Sequence, residues 1–377
     1  MRKKIVVLGA GMVGRAMAID LSKRNEVLSV DRDHAALKHL NQHANLTTAE
    51  ADLGDSQAIN KLIASADIVV GAVPGFMGYK TLKTVIQAKK NIVDISFFPE
   101  DPFGLDDLAK ANGVIAVMDA GVAPGMSNII LGHHNAKMII SEFICYVGGL
   151  PRERTWPYEY KAPFSPIDVI EEYTRTSRLV EDGKVLEKVA LSDPELLDFT
   201  GVGTLEAFNT DGLRSLIKTI KVPNMKEKTL RYPGHIELMK VLRETGFFRE
   251  DIIKIGDQQI RPIDLTTQLL FPKWKLGAEE EEFTLMNVII KGLEAGHQLT
   301  YKYELLDRYD PQSKTSSMSR TTGYTCTAVT QLVLDGHYNR VGISPPEYVG
   351  EAPGCFQRIL EYLEERGVHY SKETKTS

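Results

Sequence analysis

The chain has 377 residues, 43% of them apolar and 25% charged, with a formal net charge of −5; that is enough for two domains or three, each with its own core. Mild acidity without basic clusters excludes nucleic acid as an expected partner, and no apolar run reaches the roughly 18 residues that a membrane span needs. Cys145, Cys326 and Cys355 stand far apart with no CxxC, which argues for a reducing compartment and against a disulfide framework or a structural zinc site.

The opening MRKKIVVLGAG has a basic flank and a short apolar run like a signal peptide, but the run ends in glycines. It reads as a first strand, and the protein as cytoplasmic. GAGMVG follows, with Gly9, Gly11 and Gly14 at the GxGxxG spacing, and a helix continues from it. In such a loop the first glycine permits the turn, the second lets a pyrophosphate approach the backbone, and the third allows close helix packing. Gly9, Gly11, Met12, Val13 and Gly14 are therefore expected to bind a dinucleotide. The next strand, EVLSVD, ends in Asp31, 22 residues after Gly9, where an acid accepts from a ribose 2′-hydroxyl and repels a 2′-phosphate. That favours NAD over NADP, although Arg32 beside it blunts the repulsion.

Helix and strand then alternate. Asp55 caps SQAINKLIAS; DIVVGAV exits through Val73-Pro74-Gly75; TLKTVIQAKK, NIVDIS, LDDLAKAN and VIAVMDA follow. This order predicts a Rossmann doubly wound parallel sheet with ligands at the carboxyl ends of its strands. Asp52, Val73, Asp94, Ser96 and Asp119 then share one rim. Asp52, Val73, Pro74 and Ser96 join the cofactor set, and Asp119 belongs near the nicotinamide. A competing view makes Asp119 the cap of the helix SNIILGHHNA.

After Gly125 the pattern changes to strand-like SEFICYVGGLP, polar-aromatic loops (WPYEYKAPFSP), and a hairpin of FTLMNVIIKG and QLTYKYELLD. A second, α+β domain is expected over 125–325, after a first over 1–124. A C-terminal segment, 326–377, begins near the helix TTGYTCTAVTQLVLDG and returns to the first domain. The run EEEE at 279–282 reads as a solvated turn, and the tail SKETKTS as frayed. Thr210-Asp211-Gly212 forms a turn between apolar flanks. KTLRYPGHIEL sets Arg231, Tyr232 and His235 around a Pro-Gly turn. An arginine fork suits a substrate carboxylate, and a histidine moves protons near neutral pH; equally, Arg231 pairs with a structural acid and His235 caps a helix. His133-His134 and Cys145 read as structural. No metal site is expected.

GAGMVG, DAGVAPGM, YVGGLP, LEAFNT, LRYPGH and GISPPE together resemble the saccharopine dehydrogenase-like family over nearly the whole chain, closest to its lysine 6-dehydrogenase members. The resemblance implies a Rossmann cofactor domain, a second domain that covers the site and contributes to a homodimer, and NAD-dependent oxidation of the ε-amine of L-lysine. Saccharopine-forming members usually carry an acid just before the Pro-Gly elbow, where Ala123 stands here. By charge, Arg231 would hold the substrate carboxylate, Asp211 or Glu159 the α-ammonium, and His235 or Asp119 would accept the proton; Thr210 and Tyr232 complete the substrate set. The alternatives are a saccharopine-type or carboxylated-polyamine reductase and a non-catalytic NAD-binding sensor.

Overall fold

The structure is a computed structural model that describes residues 2–38, 40–163, 166–277 and 279–376; Phe164 and Ser165 of the expected polar-aromatic loop lie outside the described residues. The chain divides into two compact units, Met1–Met138 with Met318–His369, and Ile139–Ser317 with Tyr370–Ser377.

The first unit begins with β1 (Lys4–Leu8), α1 (Met12–Ser22), β2 (Glu26–Asp31), α2 (His34–Lys38), β3 (Leu46–Glu50), α3 (Ser56–Ile63) and β4 (Ile68–Gly71). It continues through α4 (Gly75–Gln87), β5 (Asn91–Asp94), α5 (Asp106–Ala111), β6 (Ile115–Val117) and α6 (Met126–Asn135). Apolar runs such as Ile68–Val70 have no polar alternation and are wholly buried, which is the signature of strands covered on both faces. As expected, Asp55 caps α3, accepting from the Gln57 amide at 2.8 Å.

The second unit carries β7 (Ile139–Pro151), α7 (Pro166–Thr174), β8 (Ser177–Glu181), β9 (Lys184–Lys188), β10 (Glu195–Phe199) and β11 (Gly203–Asn209). After these come α8 (Leu216–Thr219), β12 (Asn224–Arg231), α9 (His235–Thr245), the hairpin β13 (Ile253–Ile255) and β14 (Gln258–Ile260), α10 (Pro262–Trp274), β15 (Glu282–Glu294) and β16 (His297–Arg308). The expected hairpin of β15 and β16 is in register from Phe283 opposite Arg308 to Glu294 opposite His297. The chain then re-enters the first unit with α11 (Ser317–Leu334), β17 (Gly342–Ser344), α12 (Pro346–Glu351) and α13 (Cys355–Glu364), and ends in the second with β18 (Tyr370–Thr376).

The first sheet is parallel throughout, in the order β17-β6-β5-β4-β1-β2-β3. From β1 the chain builds outward to β3, then returns to β4 on the other side. The strand order therefore reverses between β1 and β4, where such sheets bind ligands. The second sheet runs β10-β11-β12-β7-β15-β16-β18, with β8 on β12 and β9 on β8. It is mixed, because β7 and β12 are parallel. The chain is thus an α/β Rossmann unit joined to a second α+β unit.

The units divide at other residues than 124 and 325. Helix α6 stays in the first unit because Asn128 donates to Glu347 at 3.2 Å and the His133 ring stacks on Phe356 at 4.2 Å. Helix α11 joins it from Met318 on, with Gly323 against Met17 and Thr327 donating to Asp20 at 2.8 Å. Asp20 also receives Arg366 at 2.8 Å and Tyr362 at 2.7 Å, which ties the C-terminal segment to α1. Two further expectations are corrected. The tail is not frayed up to Thr376: the open edge of β16 offers unpaired backbone groups, and β18 satisfies them from Leu299 opposite Thr376 to Leu305 opposite Tyr370. The acidic run is not solvated throughout. Glu279 and Glu281 pair with Lys314 and Arg152 at the surface, but Glu282 is buried and accepts the Ser317 amide.

Candidate active site

At the glycine loop, Gly9 has φ 110° and a Cβ there would stand 2.4 Å from the Ala72 carbonyl; one on Gly14 would stand 2.1 Å from the Gly9 carbonyl. Those two glycines are demanded by the fold. A Cβ on Gly11 would meet no protein atom within 4 Å, so packing does not explain that glycine, whereas close approach of a ligand does. Gly11 also begins α1 without a side-chain cap, so the first amides and the positive end of the helix dipole suit an anion. Met12 is partly exposed at this end.

Asp31 ends β2 and turns back to the loop. Its Oδ2 accepts the Ala10 amide at 2.7 Å and its Oδ1 the Asp33 amide at 2.9 Å. The carboxylate is fixed beside the loop, and each oxygen keeps a lone pair for a hydroxyl. Arg32 points to solvent. Val73 and Ser96 meet across the ends of β4 and β5, the Ser96 hydroxyl donating to the Val73 carbonyl at 2.9 Å. Pro74 precedes α4 as its N-cap. Asp52 is exposed and closes its own turn on the Gly54 amide at 2.8 Å. The residues of the loop, β2 and the β4 exit fit a dinucleotide.

Farther along the rim lie two buried acids. Asp94 ends β5 with no exposure, and Asp119 follows β6 at 2%. The Ala120 amide donates to the Asp94 carbonyl at 2.9 Å, which sets the two chain ends side by side. Asp94 Oδ1 accepts the Ser96 amide at 2.7 Å and Oδ2 its hydroxyl at 3.3 Å. Burial pushes Asp94 up to about 7; the Ser96 bonds oppose this and the neighbouring Asp119 charge adds to it. Asp119 itself has φ 53°, a left-handed conformation uncommon outside glycine. It is not the cap of α6. That place is taken by Gly125, and the elbow closes on itself through Met126 N to Gly121 O at 2.9 Å.

The second unit treats its expected site residues differently. Arg231 is 2% exposed, and three of its nitrogens are engaged: Nε donates to Tyr173 Oη at 3.0 Å, Nη1 to the Leu230 carbonyl at 2.9 Å, Nη2 to Glu172 at 2.6 Å. Its guanidinium lies 4.4 Å from the Tyr160 ring centroid. His235 is the first residue of α9, and its Nδ1 lies 2.9 Å from the Tyr158 carbonyl. Only an N–H can bond there, so the proton sits on Nδ1. Nε2 then accepts from Tyr173 Oη, at 2.9 Å. Burial first, and the Arg231 charge second, push His235 down to about 3. A histidine so placed is neutral at physiological pH and a poor proton acceptor; the expectation that it serves as the base is corrected for that reason.

Asp211 is likewise held, by a two-pronged pair with Arg178 at 2.8 Å on each oxygen, which leaves it no bare charge for an α-ammonium. Glu159 pairs with Arg154. Thr210 shares a hydrogen bond with Thr229 at 3.1 Å, and Tyr232 Oη donates to the Pro151 carbonyl at 2.9 Å. Arg231, His235 and the aromatic rings thus form one network, while Asp211, Glu159 and Thr210 are each engaged elsewhere. The partners Glu172, Tyr173 and Arg178 were not singled out from sequence. A Glu-Tyr pair on an amphipathic helix carries no local signal of what it meets. Among the described residues no three His, Cys, Asp or Glu side chains gather at metal-binding distance, and no helix is long and apolar enough to cross a membrane.

Comparison with known proteins fits this geometry. The family model of the saccharopine dehydrogenase NADP binding domain matches residues 5–117, and that of the saccharopine dehydrogenase C-terminal domain matches residues 121–368. The chain belongs to the saccharopine dehydrogenase family, a family of oxidoreductases, and its first unit is an NAD(P)-binding domain. It is 27% identical over 267 residues to a saccharopine dehydrogenase [NADP(+), L-glutamate-forming] of Pyricularia oryzae, covering 66% of this chain but 59% of that protein. With the protein of the same name from Saccharomyces cerevisiae it is 22% identical, over 99% of both chains. Among solved structures, the apo saccharopine dehydrogenase (L-Glu forming) of Saccharomyces cerevisiae superposes with a TM-score of 0.79 at 20% identity, over 99% of this chain and 100% of that one. Homospermidine synthase from Legionella pneumophila, solved in complex with NAD, gives 0.68 at 11% identity, over 100% and 92%. These two likenesses speak for the fold.

Proposed function

We propose that the protein oxidises the ε-amine of L-lysine with NAD, giving the 6-semialdehyde, which cyclises to piperideine-6-carboxylate, and ammonia. The observation that carries this reading is Asp119, a buried acid held in an uncommon backbone conformation on the carboxyl rim of a dinucleotide-binding sheet. Gly9, Gly11 and Gly14 would hold the pyrophosphate of NAD, whose nicotinamide would supply the two-electron acceptor for hydride from the carbon that bears the amine. That carbon gives up hydride only when its nitrogen is neutral. Asp119 takes the ammonium proton: the N–H bond breaks, the proton goes to a carboxylate oxygen, and the electron pair stays on nitrogen. Hydride leaves the same carbon to give an imine; water then adds to that carbon, the C–N bond breaks, and ammonia leaves the semialdehyde.

Asp31 supports NAD over NADP, because a fixed carboxylate at the ribose accepts a hydroxyl and repels a phosphate. Arg231 reaches a substrate carboxylate only by exchanging Glu172 for it. In this reading Thr210, Tyr232 and the Arg231 network hold the shape of the second unit, and the protein works as a cytoplasmic homodimer. A second reading, a saccharopine-type reductase, is favoured by the names of the relatives, which specify saccharopine and NADP. Ala123 speaks against it.

The test is absorbance of reduced nicotinamide at alkaline pH, with NAD or NADP and a panel of L-lysine, saccharopine, ornithine and carboxylated polyamines. A rate with lysine, faster with NAD, upholds the reading. A rate with saccharopine alone gives the function to the second reading. Silence across the panel with NAD still binding removes both.

A further inference from the structure

The rim holds an acid that the mechanism above does not use. Asp94 is fully buried, yet its carboxyl is built in with care. The Ser96 amide and hydroxyl hold its two oxygens at 2.7 and 3.3 Å. A Cβ on Gly71, the last residue of the adjacent strand β4, would lie 1.8 Å from Asp94 Oδ2, so only glycine leaves the carboxyl its place. From the other side the Ala120 amide grips the Asp94 carbonyl at 2.9 Å, which fixes the segment carrying Asp119 against β5. The clearance over Gly71 and the Ser96 bonds serve the side chain, while the Ala120 amide fixes the backbone that carries it.

We propose that Asp94 is the positioning partner of Asp119 in proton transfer, so that the two carboxyls act as one proton-handling pair rather than as a base and a buried bystander. This rests on the lysine-oxidising reading above. Among the described residues, the titratable and polar groups that act on Asp94 are Asp119 from the end of β6, the Cys326 thiol from α11 and Ser96 from its own loop, with Gly71 of β4 beneath its carboxyl. Burial pushes Cys326 far up, so it stays a neutral thiol. Asp94, raised to about 7, is the member that changes charge near neutrality. Its Oδ1 accepts the Ser96 amide, and its Oδ2 lies over Gly71 within reach of the Ser96 hydroxyl. When Asp94 loses its proton, a second negative charge appears at the rim. A like charge beside a proton acceptor strengthens the acceptor and draws an ammonium in.

Asp94→Asn tests this, since Asn keeps the shape and cannot ionise. NAD affinity within about twofold of wild type and a cooperative melt establish that the variant is folded. For the wild type, kcat/KM for lysine is expected to climb tenfold or more as pH rises through about 7. In the variant that climb is lost. Ser96→Ala, which removes a hydrogen bond to the charged form, is expected to move the climb to higher pH. Profiles for wild type and both variants that run parallel, offset by a constant factor, overturn the proposal and leave Asp94 a scaffold residue. A wild type that oxidises no amine sinks the lysine reading and this inference together; an active wild type with parallel profiles sinks this inference alone.

Discussion

Two buried polar clusters, one in each unit, have been solved in opposite ways. In the second unit Arg231, Glu172, Tyr173, His235 and the Tyr158 carbonyl form a chain in which every step runs donor to acceptor. Charge meets charge, the histidine is locked in one tautomer, and its proton affinity is driven to about 3. In the first unit Asp94 and Asp119 are buried beside each other with like charge, and Asp94 is raised to about 7. The first solution removes titration from the physiological range; the second places it there. Buried charge therefore does not by itself mark an active site. On the proposed reading the compensated cluster is scaffold and the incompletely compensated acids at the strand ends carry the chemistry.

The largest expected effect breaks the compensated cluster. Arg231→Met leaves Glu172 without its cation and Tyr173 without a donor, and removal of one partner of a buried pair costs about 3–5 kcal/mol. Urea unfolding is the measurement. A loss below about 1 kcal/mol would mean that the pair is not closed as described, and that Arg231 is spare enough to meet a substrate carboxylate after all.

Next is Gly71→Ala. The methyl has nowhere to go but into Asp94, and overpacking of this kind costs about 1–3 kcal/mol. Amine oxidation should fall far more than NAD affinity, because the glycine loop lies on other residues. Equal losses in both would show that Gly71 shapes the cofactor site instead.

Much of the first unit was legible in the sequence. The glycine spacing, Asp31 and the strand–helix alternation each rest on local chemistry, and the structure has the parallel sheet they require. The rim order of Val73, Ser96, Asp94 and Asp119 followed from topology alone. What could not be read was pairing across the chain. Nothing in RYPGH says that Arg231 meets Glu172, 59 residues away, or that Asp211 meets Arg178. The tail SKETKTS looked frayed because its polarity was read without the β16 edge it completes. Arg231 does pair with an acid, Glu172, but His235 is not the cap of its helix: Gly234 takes that place, and the imidazole bonds Tyr158 and Tyr173 instead.

A smaller effect is expected at the cofactor. Asp31→Ala removes the carboxylate that bonds the Ala10 and Asp33 amides. If Asp31 favours NAD as proposed, the ratio of the NADP to the NAD dissociation constant should fall about tenfold, equal to roughly 1.4 kcal/mol. Fluorescence titration with the two reduced cofactors measures it. An unchanged ratio would mean that Asp31 serves the loop alone and that the preference is set elsewhere.

The smallest effect sharpens the comparison most. His235→Asn keeps a donor for the Tyr158 carbonyl and loses the acceptor for Tyr173, a change of one net hydrogen bond, about 1 kcal/mol. The group that titrates near neutrality is placed in the other unit, since His235 is already neutral well above pH 3. The pH dependence of kcat/KM should therefore keep its shape in this variant while Asp94→Asn changes it. If His235→Asn instead abolishes the acid limb, the buried histidine exchanges protons with substrate in spite of its locked tautomer, and the base must be sought in the compensated cluster rather than at the strand ends.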